Sequence, residues 1–295
     1  MISVVIPVYN DPEGLKETLG SLVNQNFSEG YEIIVVDNNS TDSTPEVIKK
    51  FENDYPDLIK GLEENNLQSS YAARNKGVIN SDGDIICFID ADMWVNKNYL
   101  SNVKTYFQKN PEIGYIGCQV EIVKNKNTIA SKYDKNNGFP VKEYMKEKNF
   151  VPTCCLSVRK SIFENVGLFK QELVSGGDKE FGKRVNSSSI NMKYVEDFTA
   201  FHPARETGKE IFSKYFRIGR GKAQIEYNDL IEDSGKKRLN SAEFLKKGVF
   251  KIKRTLEDHY RSNNIKKTLS TYLMSYNKKI AILLGYEYQK IKFVL

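Results

Sequence analysis

In this 295-residue chain, two aspartates, Asp90 and Asp92, are of a type and at a spacing that could support chemistry. They follow the apolar run Ile85 to Ile89, which is short for a helix and typical of a strand buried on both faces. Carboxylates separated by one small residue repel each other unless a cation lies between them, and oxygen ligands favour Mg²⁺ or Mn²⁺. The alternative is a solvated turn in which the aspartates cap the next helix.

The elements that must position these aspartates are predicted from two earlier apolar runs. Ile2 to Val8 and Tyr31 to Val36 each read as a strand, and each is followed by a helix with a proline near its start. This order predicts a parallel sheet with right-handed connections, whose ligands bind beyond the carboxyl ends of the strands. Polar residues follow three such ends, at 9–10, 37–39 and 90–92, and therefore predict a ligand site. Each could also be only a helix cap.

An arginine lies between the second strand and the strand that precedes Asp90. The segment from Asn65 to Asn80 has a helical pattern in which Arg74 is polar. A guanidinium near paired carboxylates could hold a diphosphate, because arginine binds phosphate oxygens bidentately. The alternative is an arginine on the surface.

Four motifs now stand in order: PVYN at 7–10, VVDNNSTD at 35–42, AARNKG at 72–77 and FIDAD at 88–92. Together with GGD at 176–178 they resemble, in order and spacing, the family 2 glycosyltransferases, over roughly residues 1–220. The resemblance implies a GT-A fold of the α/β class, with a mostly parallel sheet flanked by helices. Beyond the part that it covers, a helical C-terminal appendage is expected from the sequence pattern. The resemblance also implies a nucleotide-diphospho-sugar donor, with UDP as the expected nucleotide.

The resemblance implies which residues bind the donor. They are residues of the four motifs: Pro7, Val8, Tyr9, Asn10, Asp37, Asn39, Arg74, Asp90, Ala91 and Asp92. The family usually has an acidic residue where Asn38 stands, which leaves Asp37 as the carboxylate expected to read the base.

The catalytic and metal residues are implied in the same way. Asp178 falls at the position of the catalytic base, with Glu180 as the fallback and an N-cap as the plain alternative. Asp92 and Asp90 are expected to bind Mn²⁺ or Mg²⁺. His202 ends the predicted strand 194–202, where many GT-A enzymes have a further metal ligand, and a structural histidine is equally open.

Arg217 and Arg220 lie in the basic, aromatic segment 212–222, which resembles the helix that follows the catalytic half of the family. They could reach the diphosphate or a lipid phosphate. The Lys-rich segment 125–149 is weakly patterned and is interpreted as a loop, either facing the acceptor or merely variable. Beyond residue 241 the apolar residues Leu245, Val249 and Phe250, and later Ile280, Leu283 and Leu284, suggest amphipathic helices.

Charge is divided unevenly along the chain. Residues 205–295 contain 21 Lys and Arg against 10 Asp and Glu, a net charge of +11, and residues 1–204 carry −5. The basic end could contact an anionic membrane, or it could be a set of solvated helix faces. No nucleic-acid-binding module is recognised, so nucleic acid is not an expected partner.

Location is predicted from what the sequence lacks. No run of about 18 apolar residues and no signal peptide is recognised. The four cysteines have no C-x-x-C spacing and are expected to be free thiols. The prediction is a cytoplasmic protein, with peripheral contact at the cytoplasmic face of the membrane left open.

The sequence thus predicts a GT-A domain at 1–220, with a nucleotide-sugar-binding half at 1–95 and an acceptor and catalytic half at 96–220, followed by a basic helical appendage at 221–295. The predicted activity is inverting transfer of a sugar to a hydroxyl of a polysaccharide, a lipid-linked sugar or a glycoconjugate. Two alternatives stay open. One is a nucleotidyltransferase, which would release pyrophosphate, and the other is a catalytically silent sugar-nucleotide-binding protein.

Overall fold

An eight-stranded sheet has the order β3-β2-β1-β4-β7-β6-β8-β5 in a computed structural model that describes residues 1–232 and 265–294. The strands are β1 Ile2–Val8, β2 Tyr31–Asp37, β3 Ile59–Glu63, β4 Ile85–Phe88, β5 Trp94–Val95, β6 Ile113–Val123, β7 Leu156–Arg159 and β8 Asn191–Pro203. The described helices are α1 Pro12–Leu22, α2 Thr44–Asp54, α3 Ser70–Ile79, α4 Tyr99–Lys109, α5 Ile129–Asn137, α6 Val141–Lys148, α7 Ser161–Val166, α8 Gly177–Ser187, α9 Gly208–Glu232 and α10 Ile265–Val294.

Strands β1 to β4 form the parallel half of the sheet. β1 pairs in parallel with both β2 and β4, and β2 pairs in parallel with β3. All seven residues of β1 are buried, as expected for apolar, β-branched runs covered on both faces. Helix α3 lies close to β1, because a Cβ at Gly77 would overlap the side chain of Val5. The prediction of a parallel sheet is confirmed here, and the carboxyl ends of β1, β2 and β4 lie side by side.

The other half of the sheet is mixed. β7 runs antiparallel to both β4 and β6, and β6 pairs in parallel with β8 across two register shifts. The short β5 pairs antiparallel with β8, so Trp94 lies opposite Phe201, and their rings stack with centroids 5.9 Å apart. This pairing brings the chain just after Asp92 beside the end of β8.

Two local predictions were wrong. Residues 125–149 were expected to be a loop, but they contain α5 and α6, which local hydrogen bonds support. A capping box between Thr128 and Ser131 starts α5, and Asn149 ends α6 in the left-handed conformation. The predicted helix 65–80 begins only at Ser70, because the side chain of Ser69 accepts a hydrogen bond from Tyr71 N and caps it.

The chain divides into two compact units. The first comprises residues 1–123, 139–173 and 177–203 and contains the whole sheet, and the second comprises 124–138, 174–176 and 204–295. The core of the second unit contains Ala130, Tyr133, Ile211, Tyr215 and Ala281. The predicted boundary at residue 220 falls inside α9 and stays a prediction. The predicted helix around 245–250 lies outside the described residues.

Two further sequence-based expectations concern the cysteines and the membrane. All four cysteines are buried and free, which confirms the prediction of free thiols. None of the helices in 1–232 and 265–294 combines the length and the apolar composition needed to cross a bilayer.

Candidate active site

Loop hydrogen bonds join the carboxyl ends of β1 and β2. Asn10 N donates to Ser40 Oγ at 2.9 Å, and Thr41 N donates to Asn10 Oδ1 at 2.8 Å. Asn10 and Asn39 have φ angles of 50° and 66°, a region that asparagine enters more readily than most residues. Tyr9 follows the buried Val8, is 49% exposed and presents its ring at this edge of the sheet.

The end of β2 carries two buried polar side chains with different tasks. Asp37 Oδ1 accepts a hydrogen bond from Ser40 N at 3.2 Å, so Asp37 keeps its carboxylate at the sheet edge. Asn38 Nδ2 donates to the carbonyl oxygens of Glu64 and Leu67, at 3.0 and 2.9 Å. A carboxylate has no hydrogen for these carbonyls, which accounts for an amide at the position where the family usually has an acid.

Arg74 and Asp90 form a largely buried ion pair. Arg74 Nη2 donates to Asp90 Oδ1 at 2.6 Å, and the arginine side chain is 5% exposed against 36% for the aspartate. Arg74 Nη1 reaches Ser70 O, while its buried Nε has no hydrogen-bond partner among the described residues. An unsatisfied buried donor costs about 1–3 kcal/mol, so a ligand oxygen would stabilise it. The alternative of a surface arginine is excluded by this burial.

Asp92 and His202 face each other at the end of β8. His202 Nδ1 lies 2.6 Å from Pro203 O, and because a carbonyl oxygen can only accept, Nδ1 carries a proton. His202 Nε2 lies 3.4 Å from Asp92 Oδ2. The two groups can approach this closely in two ways: Nε2 carries a proton that it donates to Asp92, or a cation between them is bound by the Nε2 lone pair and the carboxylate. A histidine that donates its other nitrogen to a carbonyl is typical of metal ligands.

The Asp92–His202 pair fits a divalent cation. Two neighbouring ligands of an octahedral ion lie about 3 Å apart, close to the observed separation. Asp11 is a neighbouring carboxyl group: burial raises its pKa, and the charge of Asp92 raises it further. No group of three or more His, Cys, Asp or Glu in the described ranges is arranged to hold an ion. Asp90 is bound to Arg74, so its predicted role as a metal ligand stays a prediction.

Asp178 lies at the start of α8, half-buried, next to a tyrosine that sequence reasoning missed. Asp178 N donates to Tyr71 Oη at 3.4 Å, and a Cβ at Gly177 would lie 2.8 Å from the Tyr71 ring. The same ring lies 5.5 Å from the Arg74 guanidinium carbon. Tyr71 thus contacts the arginine beside Asp90 and the backbone that carries Asp178. Its position next to the AARNKG motif was the available signal.

The fallback base, Glu180, is held by cations. Arg184 binds both carboxylate oxygens, at 2.8 and 2.9 Å, and the Glu180 side chain is 14% exposed. Asp178 instead lies near Tyr144: burial raises the pKa of the Tyr144 hydroxyl, and the charge of Asp178 raises it further.

Arg217 and Arg220, which were predicted to contact a phosphate, lie in the second unit. Arg217 is exposed on α9. Arg220 Nε donates to Gln289 Oε1 at 3.0 Å, and its guanidinium lies over the ring of Tyr288. Arg220 is therefore engaged by α10, and the role of both arginines at a phosphate stays a prediction.

The family model described as glycosyl transferase family 2 matches residues 3–167, more than half of the chain. The chain belongs to this family. Among its relatives, the glycosyltransferase AglE of Haloferax volcanii is 36% identical over 227 residues, which are 76% of this chain and 73% of AglE. The minor teichoic acid biosynthesis protein GgaA of Bacillus subtilis is 37% identical over 111 residues. This glycosyltransferase spans only 25% of GgaA.

Solved structures show the fold of this glycosyltransferase. The mannosyltransferase PcManGT from Pyrobaculum calidifontis, in complex with GDP-Man and Mn²⁺, has a TM-score of 0.62 and 21% identity, with 80% of this chain and 65% of that chain covered. TarS 1–349 of S. aureus, in complex with UDP-GlcNAc, has a TM-score of 0.55 and 20% identity, with 74% and 65% covered. The fold is GT-A-like, with a mostly parallel sheet flanked by helices, as predicted.

Proposed function

We propose that this glycosyltransferase is an inverting, metal-dependent enzyme that transfers a sugar from a nucleoside diphosphate donor, expected to be a UDP-sugar. The observation that carries the proposal is the pair of contacts beyond β4, Arg74 with Asp90 and Asp92 with His202. Asp90 holds a guanidinium, and Asp92, two residues later, belongs to a pair that suits a cation; together these groups suit a diphosphate. The family membership favours transfer of a sugar over the nucleotidyltransferase and the silent binding protein that the sequence left open.

The chain's own residues account for donor binding. Tyr9, exposed at the sheet edge, is available to the base, and the buried Asp37 carboxylate is available to its polar atoms. Arg74 donates to donor phosphate oxygens while Asp90 holds the guanidinium in place. Asp92 and His202, with Asp90 as the proposed third ligand, would hold Mn²⁺ or Mg²⁺. When bound, that ion supplies charge stabilisation to the leaving diphosphate.

The acceptor side depends on Asp178. Inversion by a single displacement requires that an acceptor hydroxyl lose its proton as it attacks from the side opposite the diphosphate. Asp178 takes that proton, because Glu180 is occupied by Arg184. The acceptor is proposed to be a hydroxyl of a polysaccharide, a lipid-linked sugar or another glycoconjugate.

A peripheral contact with an anionic membrane, at its cytoplasmic face, belongs to the same proposal. Its support is the net charge of +11 in residues 205–295. Such a contact would bring the active site to lipid-linked acceptors.

The experiment that tests the function is a donor panel. The purified protein is incubated with UDP- and GDP-sugars and with saccharide and lipid-linked acceptors, with and without Mn²⁺, and released nucleoside diphosphate is measured. Release of UDP that requires both acceptor and metal is expected. Release of GDP alone would show that the donor nucleotide is GDP and not UDP. Undiminished release in excess chelator would contradict the metal requirement. Release of pyrophosphate from a nucleoside triphosphate would identify the protein as a nucleotidyltransferase.

A further inference from the structure

Helix α10, residues Ile265–Val294, has two apolar faces. One face packs on α9 within the second unit. Ala281 is fully buried, Tyr286 is 6% exposed, and a Cβ at Gly285 would overlap the carbonyl oxygen of Phe216. This face accounts for the small residues of the helix and for part of its apolar composition.

The second apolar face is exposed. Its members recur every three or four residues, which places them along one side of a helix with 3.6 residues per turn. They are Leu273, Tyr276, Leu284, Tyr288 and Ile291, and each is between 44% and 58% exposed. Tyr288 lies at the edge of the row, where its ring also contacts Phe216 and Arg220 of α9. Ile280, which is half-buried, continues the row between Tyr276 and Leu284. We call this row the α10 stripe.

The α10 stripe differs from ordinary exposed apolar residues by its continuity. Single exposed apolar side chains are normal in soluble proteins and need no explanation. In the described part of the chain, however, five of the twelve large apolar side chains that are exposed lie on this one helix face. Contiguous exposed apolar surface of this kind marks a site of interaction.

The charges on α10 identify the kind of partner. The helix contains six lysines and one glutamate, so its net charge is +5. Lys292 is exposed and lies 5.4 Å from the centre of the Tyr288 ring, at the border of the stripe. An apolar row bordered by lysines is typical of helices that lie in the plane of an anionic membrane. A second copy of α10 would instead bring like charges together, which opposes self-association.

We propose that α10 lies in the interface of an anionic lipid membrane, with the α10 stripe inserted among the acyl chains and the exposed Lys292 at the phosphate headgroups. Insertion is shallow, about 5–10 Å, because the opposite face of the helix stays packed on α9. The inference rests on the membrane contact proposed above and specifies its surface. It adds that apolar insertion, and not charge alone, holds the protein there.

The test compares two double variants by sedimentation with vesicles of phosphatidylglycerol and phosphatidylcholine. Leu284→Ser with Ile291→Ser removes two members of the stripe without changing charge. Ile79→Ser with Ile129→Ser is the matched control, since these residues are 65% and 53% exposed and lie on other helices. We expect the stripe variant to lose tenfold or more in partition coefficient, because two large apolar side chains no longer insert. The control should stay within twofold of the wild type.

The outcomes distinguish failure of the insertion from failure of the membrane contact or of the proposed transferase activity. No sedimentation of the wild type at low salt overturns the membrane contact itself. Sedimentation that is equal in wild type and stripe variant leaves charge as the only attraction and overturns the insertion. Self-association that the stripe variant abolishes, without vesicle binding, assigns the surface to a second copy. Sugar transfer to a soluble acceptor should be unchanged in the stripe variant, so failure of the transferase assay is a separate result.

Depth can be measured directly, because the four native cysteines are buried. A nitroxide attached to Leu284→Cys should become more accessible to oxygen, and less accessible to a polar nickel chelate, when anionic vesicles are added. The same label on Ile79→Cys should show no change. Identical behaviour of the two labels would overturn the insertion.

Discussion

At the scale of single residues, Asp92 is the group on which the proposed metal binding depends. Asp92→Asn replaces a charged ligand by an amide whose oxygen binds a divalent ion more weakly, and we expect turnover to be abolished while the fold is retained. Titration of Mn²⁺ should show weakened binding, and thermal unfolding should stay near that of the wild type. Asp57→Asn, a change of the same type at an exposed position, is the control. Full activity of Asp92→Asn, or of the wild type in excess chelator, would contradict the metal role.

Asp178 and Glu180 can be told apart by matched substitutions. Asp178→Asn should lower kcat by a factor of about 10² or more, with donor affinity near normal, because the amide cannot take the proton from the acceptor hydroxyl. Glu180→Gln should leave kcat within a few-fold of the wild type and lower the melting temperature, since it breaks the pair with Arg184. Steady-state kinetics and thermal unfolding measure both.

The opposite pattern, with kcat lost in Glu180→Gln and kept in Asp178→Asn, would exchange the two roles. Analysis of the product gives an independent check on the mechanism. Retention of the donor's anomeric configuration would exclude a single displacement even if Asp178 were essential.

Tyr71 is expected to act as a positioning residue. Tyr71→Phe keeps the ring beside Arg74 and Gly177 and removes only the hydroxyl that accepts from Asp178 N. We expect kcat to fall by roughly fivefold, the effect of one hydrogen bond, with an unchanged KM for the donor. Tyr71→Leu, which also removes the ring, should raise that KM as well. Equal changes in KM for both variants would indicate that Tyr71 serves only the fold.

At the scale of elements, Asn38 links the end of β2 to the segment after β3. Asn38→Asp removes two hydrogen bonds to the carbonyl oxygens of Glu64 and Leu67 and places a carboxylate against them. We expect a loss of about 2 kcal/mol in the free energy of unfolding, or roughly 5 °C in melting temperature. Calorimetry measures it, with Asn39→Asp as the control on an exposed neighbour. A melting temperature equal to that of the wild type would show that the loop finds other donors.

The elements that the sequence predicted correctly are those with a strong local pattern. β1, β2 and β4 are apolar runs rich in β-branched residues, and their positions could be read within a residue or two. β7 is only four residues long and runs against its neighbours, so no local signal announced it. Helices α5 and α6 are polar and short, and caps rather than periodicity define their ends.

At the scale of the whole molecule, the site depends on contacts between distant parts of the chain. The family match ends at residue 167, before both Asp178 and His202. Tyr71 and Asp178 are 107 positions apart, and Asp92 and His202 are further apart still. The resemblance to the family implied that His202 joins Asp92 at one site, although the sequence itself does not show how β5 and β8 align. The contact of Tyr71 with Asp178 was not predicted, because it follows from where α8 begins.

The stack of Trp94 on Phe201 gives the molecule an optical reporter, since the chain contains a single tryptophan. Trp94 lies two residues after Asp92, and its partner precedes His202. Paramagnetic Mn²⁺ bound between Asp92 and His202 should quench the emission of Trp94, whereas Mg²⁺ should compete with it and restore the signal. Stopped-flow fluorescence would then time the arrival and departure of the ion during turnover. In Asp92→Asn the saturable quenching should disappear, and quenching that persists there would place the ion elsewhere.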